Sequence, residues 1–192
     1  FTACLEDVRK KSGWDKKKGK LPRGRGIGIG CGGFVSGAGY PIYRSNFPHS
    51  SAIIKIEEDG SKAVLFIGDA DIGQGSDTAL AMTACEGMGI TFDRISVISS
   101  DSDITPIGFG AYSSRVTLMG GNASKMAGED IKKQILSSAS ELMKIAPEKL
   151  DAKENKVFEI AKPSNFIKWP DAAFNFFSKR GPLTGRGHYS PP

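Results

Sequence analysis

The chain has 192 residues, a net charge of +5 and 39% hydrophobic residues. That length suits one large domain or two small ones with a buried core, and the hydrophobic content excludes a disordered chain. No apolar stretch is long enough for a membrane span, and we expect no signal peptide. Three widely separated cysteines, Cys4, Cys31 and Cys85, favour buried free thiols over a disulfide framework or metal site, so we expect a reducing, cytoplasmic location.

Residues 1–24 are predicted to form an N-terminal helix and a basic linker, separate from a domain over residues 25–192. The helix is predicted over residues 2–14. Much of the positive charge lies in residues 9–25, where glycine and proline interrupt the lysines and arginines and Trp14 is the one aromatic. This composition favours a solvated linker, with a nucleic-acid-binding or membrane-binding segment as the less favoured alternative.

Residues 25–34, RGIGIGCGGF, are predicted to form a strand with glycine at alternate positions. One face of such a strand is nearly bare, so another backbone or a ligand can approach it. Gly28 to Gly33 also match the G-x-G-x-x-G dinucleotide fingerprint, which works only where a strand ends and a helix begins. The residues that follow cannot start a helix, and no acidic residue stands at the expected distance. We therefore reject a dinucleotide site here.

A β-hairpin is predicted over residues 51–68, because two β-branched runs flank the turn-forming pair Asp59-Gly60. Two sets of alternating apolar residues each share a face, on the same or on opposite sides depending on the register: Ala52, Ile54 and Ile56, and Ala63, Leu65 and Ile67.

An amphipathic helix is predicted after Gly73-Gln74-Gly75, with Ser76 as its N-cap and Gly89 at its end. Its apolar residues recur every four positions, at Leu80, Ala84 and Met88. A short strand within residues 92–101 and a glycine-containing loop follow it.

A long helix is predicted from about Tyr112 to Ala146, and Gly120-Gly121 inside it predict close packing. Its predicted buried face consists of Met119, Ala123, Met126, Ile131, Ile135, Ala139 and Leu142. Residues 156–181 predict a short strand, a turn and a short helix after Pro170, and the last residues are rich in turn formers. The fold class is therefore α+β, with a β-hairpin and mixed strands packed against a short and a long helix.

The Gly73-Gln74-Gly75 motif is the first candidate binding loop. It joins an apolar strand to a helix whose first free N–H groups, near Ser76 to Thr78, point at whatever lies over the loop. The two glycines let a ligand approach the backbone, Gln74 offers a donor and an acceptor, and an anion gains from the helix dipole. Asp77 adds negative charge in the first turn, where it could pair with a ligand's amino groups or cap the helix. A turn that serves only geometry explains this motif equally well.

The second candidate loop contains Ser113 and Ser114 at the start of the long helix, with Arg115 next to them. Hydroxyls, free N–H groups and a guanidinium form a seat for an anion or polar ligand, although ordinary capping explains this cluster alone. Two such loops in one domain favour binding. His49 and His188 are isolated, so we predict no catalytic residue and no metal-ligating residue.

Residues 69–90, DADIGQGSDTALAMTACEGMGI, followed by GAYSSRVTLMGGNA at residues 110–123, resemble the large, molybdenum-binding subunit of the xanthine oxidase/aldehyde oxidase family. The nearest likeness is to the 4-hydroxybenzoyl-CoA reductase α-subunit branch. The lead-in with KGKLPRGRGIGIG and the final GRGHYSPP also resemble that branch, so the resemblance covers nearly the whole chain.

The resemblance implies a molybdopterin cofactor with molybdenum, in its cytosine dinucleotide form. The residues that match the family's dinucleotide-binding loop are Ile72, Gly73, Gln74, Gly75 and Ser76. By gapless alignment from that loop, Ser113 and Ser114 match positions beside the pterin and the molybdenum. The family also implies 2Fe–2S clusters and FAD in partner subunits or domains, and a small-molecule substrate, with no nucleic acid and no membrane span.

The sequence departs from the family pattern in what it lacks. The glutamate that serves as base near the metal, and the upstream loop with the glutamine that faces the metal's oxo group, have no counterpart here. The chain is thus expected to be a central fragment of a large subunit and to be inactive alone, as part of an enzyme that hydroxylates or reductively dehydroxylates an aromatic, heterocyclic or aryl-CoA substrate. The alternative is a non-catalytic binding module that keeps the fold without the cofactor.

Overall fold

The structure, a computed structural model, describes residues 1–33 and 45–191. The chain divides into two compact units, residues 1–34 and residues 35–192. The elements of the first unit are helices α1 (Thr2–Ser12) and α2 (Trp14–Lys17). Those of the second are β1 (Ser50–Ile56), β2 (Ala63–Ile67), α3 (Ser76–Met88), β3 (Ile95–Ser99), α4 (Val116–Met143), β4 (Leu150–Lys153), β5 (Lys156–Glu159), β6 (Lys162–Lys168), α5 (Trp169–Arg180) and β7 (Thr184–Tyr189).

The first unit confirms the predicted N-terminal helix and corrects the strand that was predicted after it. Helix α1 ends at Gly13, whose left-handed backbone (φ 67°) closes the helix. Residues 25–33 form no strand, and residue 34 lies outside the described residues. A Cβ at any of their glycines would meet no described atom within 4 Å, so the predicted close approach is not seen. The physical reason is that no described strand pairs with this segment, and glycine alone does not hold an extended chain.

The second unit is built on a four-stranded sheet in the order β3-β2-β1-β7. Strands β1 and β2 form the predicted hairpin, with Ile54 opposite Leu65. This register places both sets of alternating apolar residues on the same buried face. At the turn, Gly60 has φ 70° and donates its N–H to the carbonyl of Glu57 at 2.8 Å. The hairpin is therefore confirmed, and its register resolves the two alternatives.

Helix α3 connects β2 to the parallel strand β3, and it is confirmed with Leu80, Ala84 and Met88 buried. It packs against α4 at a glycine contact, where a Cβ at Gly87 would lie 2.6 Å from the carbonyl oxygen of Lys125. Both helices cover the buried face of the sheet, and the core lies between them and the sheet.

Helix α4 is shorter than predicted, beginning at Val116 and ending at Met143. Met126 and Leu142 are 40% and 45% exposed, so their predicted place on the buried face is wrong. The buried stripe of α4 runs through Ala123, Ala127 and Ile131, which are spaced four residues apart. Met126 precedes Ala127 by one residue, and one residue of α-helix rotates the side-chain direction by about 100°, so Met126 points away from the core. Other predicted face residues are buried, namely Met119, Ile135 and Ala139.

The prediction for the C-terminal part was wrong in two places. Strand β7 lies in the segment predicted to be turn-rich, because Gly185 and Gly187 bring it against α4. A Cβ at Gly187 would lie 2.0 Å from the carbonyl oxygen of Ala123. A second sheet, in the order β4-β5-β6, contains two strands that were not predicted. The predicted short strand and short helix are confirmed as β5 and α5, and α5 begins at Trp169 with Pro170 in its first turn.

The cysteines are partly as predicted. Cys85 is buried, and burial, together with the charge of Asp93, raises the pKa of its thiol to about 11. Cys4 and Cys31 are exposed, so the expectation of buried thiols is wrong for them. The α+β fold class itself is confirmed. Among the described residues, no helix has the length and apolar character needed to cross a membrane.

Candidate functional site

The two candidate loops line one open cleft of about 450 Å³. The first loop, which we call the Gln74 loop (residues 69–75), contributes Ile72 and Gln74. The second, which we call the serine loop (residues 108–115), contributes Ser113 and Ser114 together with its neighbours. The complete lining is Ile72, Gln74, Ala111, Tyr112, Ser113, Ser114, Arg115, Val116 and Thr117. Residues predicted separately from the sequence are thus neighbours in space.

The Asp71 carboxylate closes the N-terminus of α3. It accepts the backbone N–H groups of Gly73 at 2.8 Å, Gly75 at 3.3 Å and Asp77 at 3.2 Å. These N–H groups, that of Gly73 first, hold the pKa of the Asp71 carboxyl below its ordinary value. Ser76 is the first residue of the helix and not its N-cap, which is Gly75. The prediction that this helix end offers only free N–H groups is therefore wrong for Asp77.

The Gln74 side chain is bonded within its own loop. Its Oε1 accepts the N–H of Ile72 at 2.6 Å, and its Nε2 donates to the carbonyl of Ala70 and to Ser76 Oγ, both at 2.9 Å. All three contacts fix the shape of the loop. The Gln74 side chain therefore stabilises the backbone of its own loop and does not extend freely into the cleft.

Gly73 and Gly75 have φ values of 106° and 76°, which L side chains rarely adopt. A Cβ at either position would meet no described atom within 4 Å. Glycine is thus required here by backbone conformation and not by protein packing. The surface that the two glycines expose is open to a ligand.

The serine loop contains two consecutive left-handed residues, Ser113 (φ 50°) and Ser114 (φ 54°). Such a conformation costs roughly 1–2 kcal/mol per non-glycine residue. Ser113 is buried and Ser114 is exposed, and α4 begins only at Val116, so the predicted helix start at Tyr112 is wrong. The strain identifies this loop as one that the surrounding structure must hold in place.

The N-terminus of α4 differs from that of α3, where Asp71 accepts the N–H of Asp77. The side chain of its N-cap residue Arg115 makes no capping hydrogen bond, and the first turn of α4 contains no acidic residue. Val116 and Thr117, whose N–H groups belong to the first turn, line the cleft. The positive end of the α4 dipole therefore faces the cleft.

Arg115 does not belong to an anion seat, contrary to the prediction. It is completely buried, and its Nη1 donates to Asp69 Oδ1 at 2.7 Å. Asp77 is also used internally, because its Oδ2 accepts the hydroxyl of Ser99 at 3.0 Å. Arg115 is the one cationic residue among the described residues that line the cleft, and its charge is paired. Binding of an anion there relies on N–H groups and hydroxyls.

No group of three or more His, Cys, Asp or Glu side chains within residues 1–33 and 45–191 is arranged to hold a metal ion. His49 is buried and has an edge-to-face contact with Phe109, and His188 lies exposed on β7.

Residues 7–192 match the family described as molybdopterin cofactor-binding domain. The chain therefore belongs to this family. It corresponds to part of the molybdopterin cofactor-binding domain found in large subunits of the xanthine dehydrogenase and carbon monoxide dehydrogenase family, whose members are oxidoreductases.

Two relatives and one solved structure illustrate the likeness of this molybdopterin cofactor-binding domain. It is 25% identical over 195 residues to the 6-hydroxypseudooxynicotine dehydrogenase complex subunit gamma of Paenarthrobacter nicotinovorans, covering 100% of this chain and 23% of the relative. It is 29% identical over 146 residues to a putative xanthine dehydrogenase molybdenum-binding subunit of Escherichia coli K12, covering 73% and 19%. A reconstituted CO dehydrogenase from Oligotropha carboxidovorans superposes with a TM-score of 0.69 at 25% identity, covering 76% and 18%.

The chain thus spans about a fifth of the length of these relatives, 23% and 19%. The cleft and the Gln74 loop beside it fit the molybdopterin cofactor for which the family is named. In the cleft, the helix N-terminus suits phosphate oxygens, and Ser113 and Ser114 provide hydroxyls. Next to Gln74, the backbone of Gly73 and Gly75 is open.

Proposed function

We propose that this cleft binds the molybdopterin cofactor in its cytosine dinucleotide form. In this proposal the dinucleotide contacts the loop residues Ile72, Gly73, Gln74, Gly75 and Ser76, and Ser113 and Ser114 lie beside the pterin or the molybdenum. The single observation behind it is that the Gln74 loop and the serine loop, predicted from separate motifs, line one cleft.

The uncapped N-terminus of α4 is the phosphate-facing element of the proposed site. Its first-turn N–H groups at Val116 and Thr117 lack intrahelical partners, and the helix dipole adds about 0.3–1 kcal/mol for an anion. The N-terminus of α3 contributes less, because Asp71 already accepts N–H groups there. The phosphate oxygens therefore lie nearer α4 than α3.

The Gln74 side chain acts through the loop that it braces. Its bonds to Ile72 and Ala70 keep Gly73 and Gly75 in their left-handed conformations, so that a flat ring system can lie against the exposed backbone. When bound, the molybdenum cofactor supplies the redox chemistry of the enzyme. This chain supplies binding and orientation.

The whole protein is proposed to be the large subunit of a cytoplasmic molybdenum enzyme of the 4-hydroxybenzoyl-CoA reductase type. It would hydroxylate or reductively dehydroxylate an aromatic, heterocyclic or aryl-CoA substrate and exchange electrons with 2Fe–2S clusters and FAD in partner subunits. Support comes from the motifs at residues 69–90 and 110–123 and from relatives that are named as subunits of dehydrogenases.

The test is metal and pterin analysis of the native complex that contains this chain. Elemental mass spectrometry and fluorescence of the oxidised pterin should find both in about equimolar amounts with the chain. The variants Gln74→Ala and Ser113→Ala/Ser114→Ala should lose most of the pterin, because they remove loop bracing and hydroxyl donors.

Gln134→Ala and Ser164→Ala are the matched controls. Both change the same residue types outside the cleft, on α4 and β6, and should keep the pterin content of the wild type. Absence of molybdenum and pterin from a complex made in cells that assemble molybdenum enzymes would contradict the proposal. The alternative of a binding module without the cofactor would then replace it.

A further inference from the structure

The guanidinium of Arg115 bonds to four acceptors and joins three chain segments. Its Nη1 donates to Asp69 Oδ1 and to the carbonyl of Gly110, both at 2.7 Å. Its Nη2 donates to Ser50 Oγ at 2.9 Å and also to the carbonyl of His49. Asp69 starts the Gln74 loop, Gly110 belongs to the serine loop, and the other two acceptors lie at the start of β1. One side chain thus joins the bases of both loops that line the cleft.

The segments that lead into the two loops are also in direct contact. A Cβ at Gly68 would lie 2.1 Å from the carbonyl oxygen of Pro106, and a Cβ at Gly108 would lie 2.5 Å from the carbonyl carbon of Gly68. Gly108 also forms an isolated antiparallel β-bridge with Ser50. The bases of the loops are therefore in backbone contact, and the ion pair lies at that contact.

Burial of the Asp69–Arg115 pair carries a desolvation cost that apolar side chains in the same space would not have. Both side chains are completely buried, and Asp69 Oδ2 and Arg115 Nε find no partner among the described residues. Buried ion pairs contribute little net stability compared with well-packed apolar side chains, and their best-attested use is to specify one arrangement. The planar guanidinium serves that use, because its donors have fixed directions and lysine cannot reproduce them.

The positions of both partners connect the pair to the site. Arg115 directly follows the strained residues Ser113 and Ser114 and is the N-cap residue of α4. Asp69 lies two residues before Asp71, whose carboxylate fixes the start of α3. A shift of the pair therefore moves the serines, the α4 N-terminus and the Gln74 loop relative to one another.

We propose that Asp69 and Arg115 are positioning residues whose ion pair sets the separation of the Gln74 loop and the serine loop. The pair acts through the loops and not by bonding to the ligand. That the ligand is the molybdopterin cofactor rests on the proposed function above. The spacing of the loops is independent of it.

Asp69→Asn and Arg115→Lys are the informative variants in the full-length chain within its complex. The first keeps the shape and removes the negative charge, and the second keeps the charge and removes the fork of donors. Val157→Ala is the control, because Val157 is buried in β5, outside the cleft, and its truncation destabilises without touching either loop. Each variant is measured at the same number of degrees below its own melting temperature, so that differences in global stability do not enter the comparison.

Hydrogen–deuterium exchange of the cofactor-free complex is the first readout. Asp69→Asn should speed exchange of amides in both loops by roughly tenfold or more, because it leaves a buried charge unpaired. Val157→Ala should leave the two loops near the wild-type rate at matched stability. Equal acceleration by the control would overturn the proposal.

Pterin retention is the second readout, and it separates the two proposals. Asp69→Asn and Arg115→Lys should lose pterin while Val157→Ala keeps it, and retention in all three would overturn the positioning role. If the wild type holds no pterin, the proposed function fails and exchange alone decides the positioning role. The wild type provides a test without any variant, since both loops should open with one common free energy in low denaturant. Separate opening free energies would overturn the proposal.

Discussion

The N-terminus of α4 lines the cleft, the N-terminus of α3 follows the Gln74 loop, and the two are built in different ways. Helix α3 follows Gly75, a residue that adopts the left-handed conformation without strain, and Asp71 accepts the N–H of Asp77 in its first turn. Helix α4 follows Ser113 and Ser114 in the same conformation, and no described side chain caps it. The α3 end has an unstrained backbone and a carboxylate at its positive dipole end. The α4 end follows a strained backbone and has no such carboxylate.

This difference indicates which end faces a ligand. Residues in strained backbone conformations persist where the surrounding structure holds them, and they cluster at binding sites. Glycine would remove the strain at Ser113 but would also remove a hydroxyl from the cleft. We infer that the hydroxyls explain why the serine loop keeps two costly conformations, while the Gln74 loop keeps glycine.

Substitutions at Gly75 and Ser113 test how each helix end maintains its left-handed backbone. Gly75→Ala should destabilise the protein by roughly 1–2 kcal/mol, because alanine must adopt φ 76°. Ser113→Gly should stabilise it by up to about 1 kcal/mol, because relief of strain exceeds the added entropy of the unfolded chain. Both changes in the free energy of unfolding are measured by urea unfolding of the chain separated from its partner subunits. Where the subunits unfold together, the melting temperature of the complex is measured instead.

Ser113→Gly should nevertheless lower pterin retention, since a stability gain at a binding site commonly costs function. Ser61→Gly in the β1–β2 turn is the control for the entropy of glycine, and it lies outside the cleft. A Ser113→Gly protein that is both more stable and fully loaded with pterin would show that the hydroxyl has no role in binding.

The sequence predicted local structure well because the relevant contacts are local. The β1–β2 hairpin depends on alternating residues and a glycine turn within one short segment, and α3 depends on a four-residue repeat that ends at Gly89. Strand β7 was missed because its pairing with β1 is between distant segments. Its glycines, which look like turn residues, are needed for contact with α4.

The sequence predicted the two loops of the candidate site but not the partners of its charged side chains. The two glycine- and serine-containing loops were identified from composition at strand–helix junctions. The inward direction of Arg115 was not predictable, because its acceptor Asp69 is remote in sequence. The role of Asp71 was missed although a signal existed. An aspartate that bonds the N–H two residues later, here Gly73, is a common local motif.

A negative charge added to each helix end tests the same difference between α3 and α4, with a smaller change in stability. Thr117→Glu places a carboxylate in the first turn of α4, and Thr78→Glu does the same in α3. Thr117→Glu should stabilise α4 by about 0.3–1 kcal/mol through the dipole. Thr78→Glu should stabilise α3 by less, because Asp71 and Asp77 already carry negative charge there. Only Thr117→Glu should reduce pterin content, because it competes with an anionic ligand at the end that lines the cleft.

Equal pterin loss in both variants would place the anion near α3 as well and would contradict the assignment of phosphate to α4. The readout is pterin per chain in complexes purified side by side, with melting temperatures measured to confirm that both variants fold.

The smallest expected effect is a pH dependence confined to the α3 end. The N–H groups of Gly73 and Asp77, in that order, lower the pKa of Asp71 in the folded protein below its ordinary value of 3.8. A group with a depressed folded pKa stabilises the fold above its unfolded pKa, and this contribution is lost as the pH falls through the folded pKa. The α3 N-terminus should therefore begin to fray below about pH 4, while the α4 N-terminus, which has no carboxylate cap, should not change in that window.

Asp71→Asn separates this effect from general acid unfolding. Asparagine keeps the acceptor oxygen toward Gly73 and removes the titration, so the difference in stability between wild type and variant should shrink as the pH falls below 4. Exchange rates of the Gly73 and Asp77 amides measure the same change locally. A stability difference that stays constant from pH 6 to pH 3 would show that the Asp71 carboxylate does not close α3 in solution. Both helix ends would then offer N–H groups to the cleft, and the assignment of the anion to α4 alone would no longer hold.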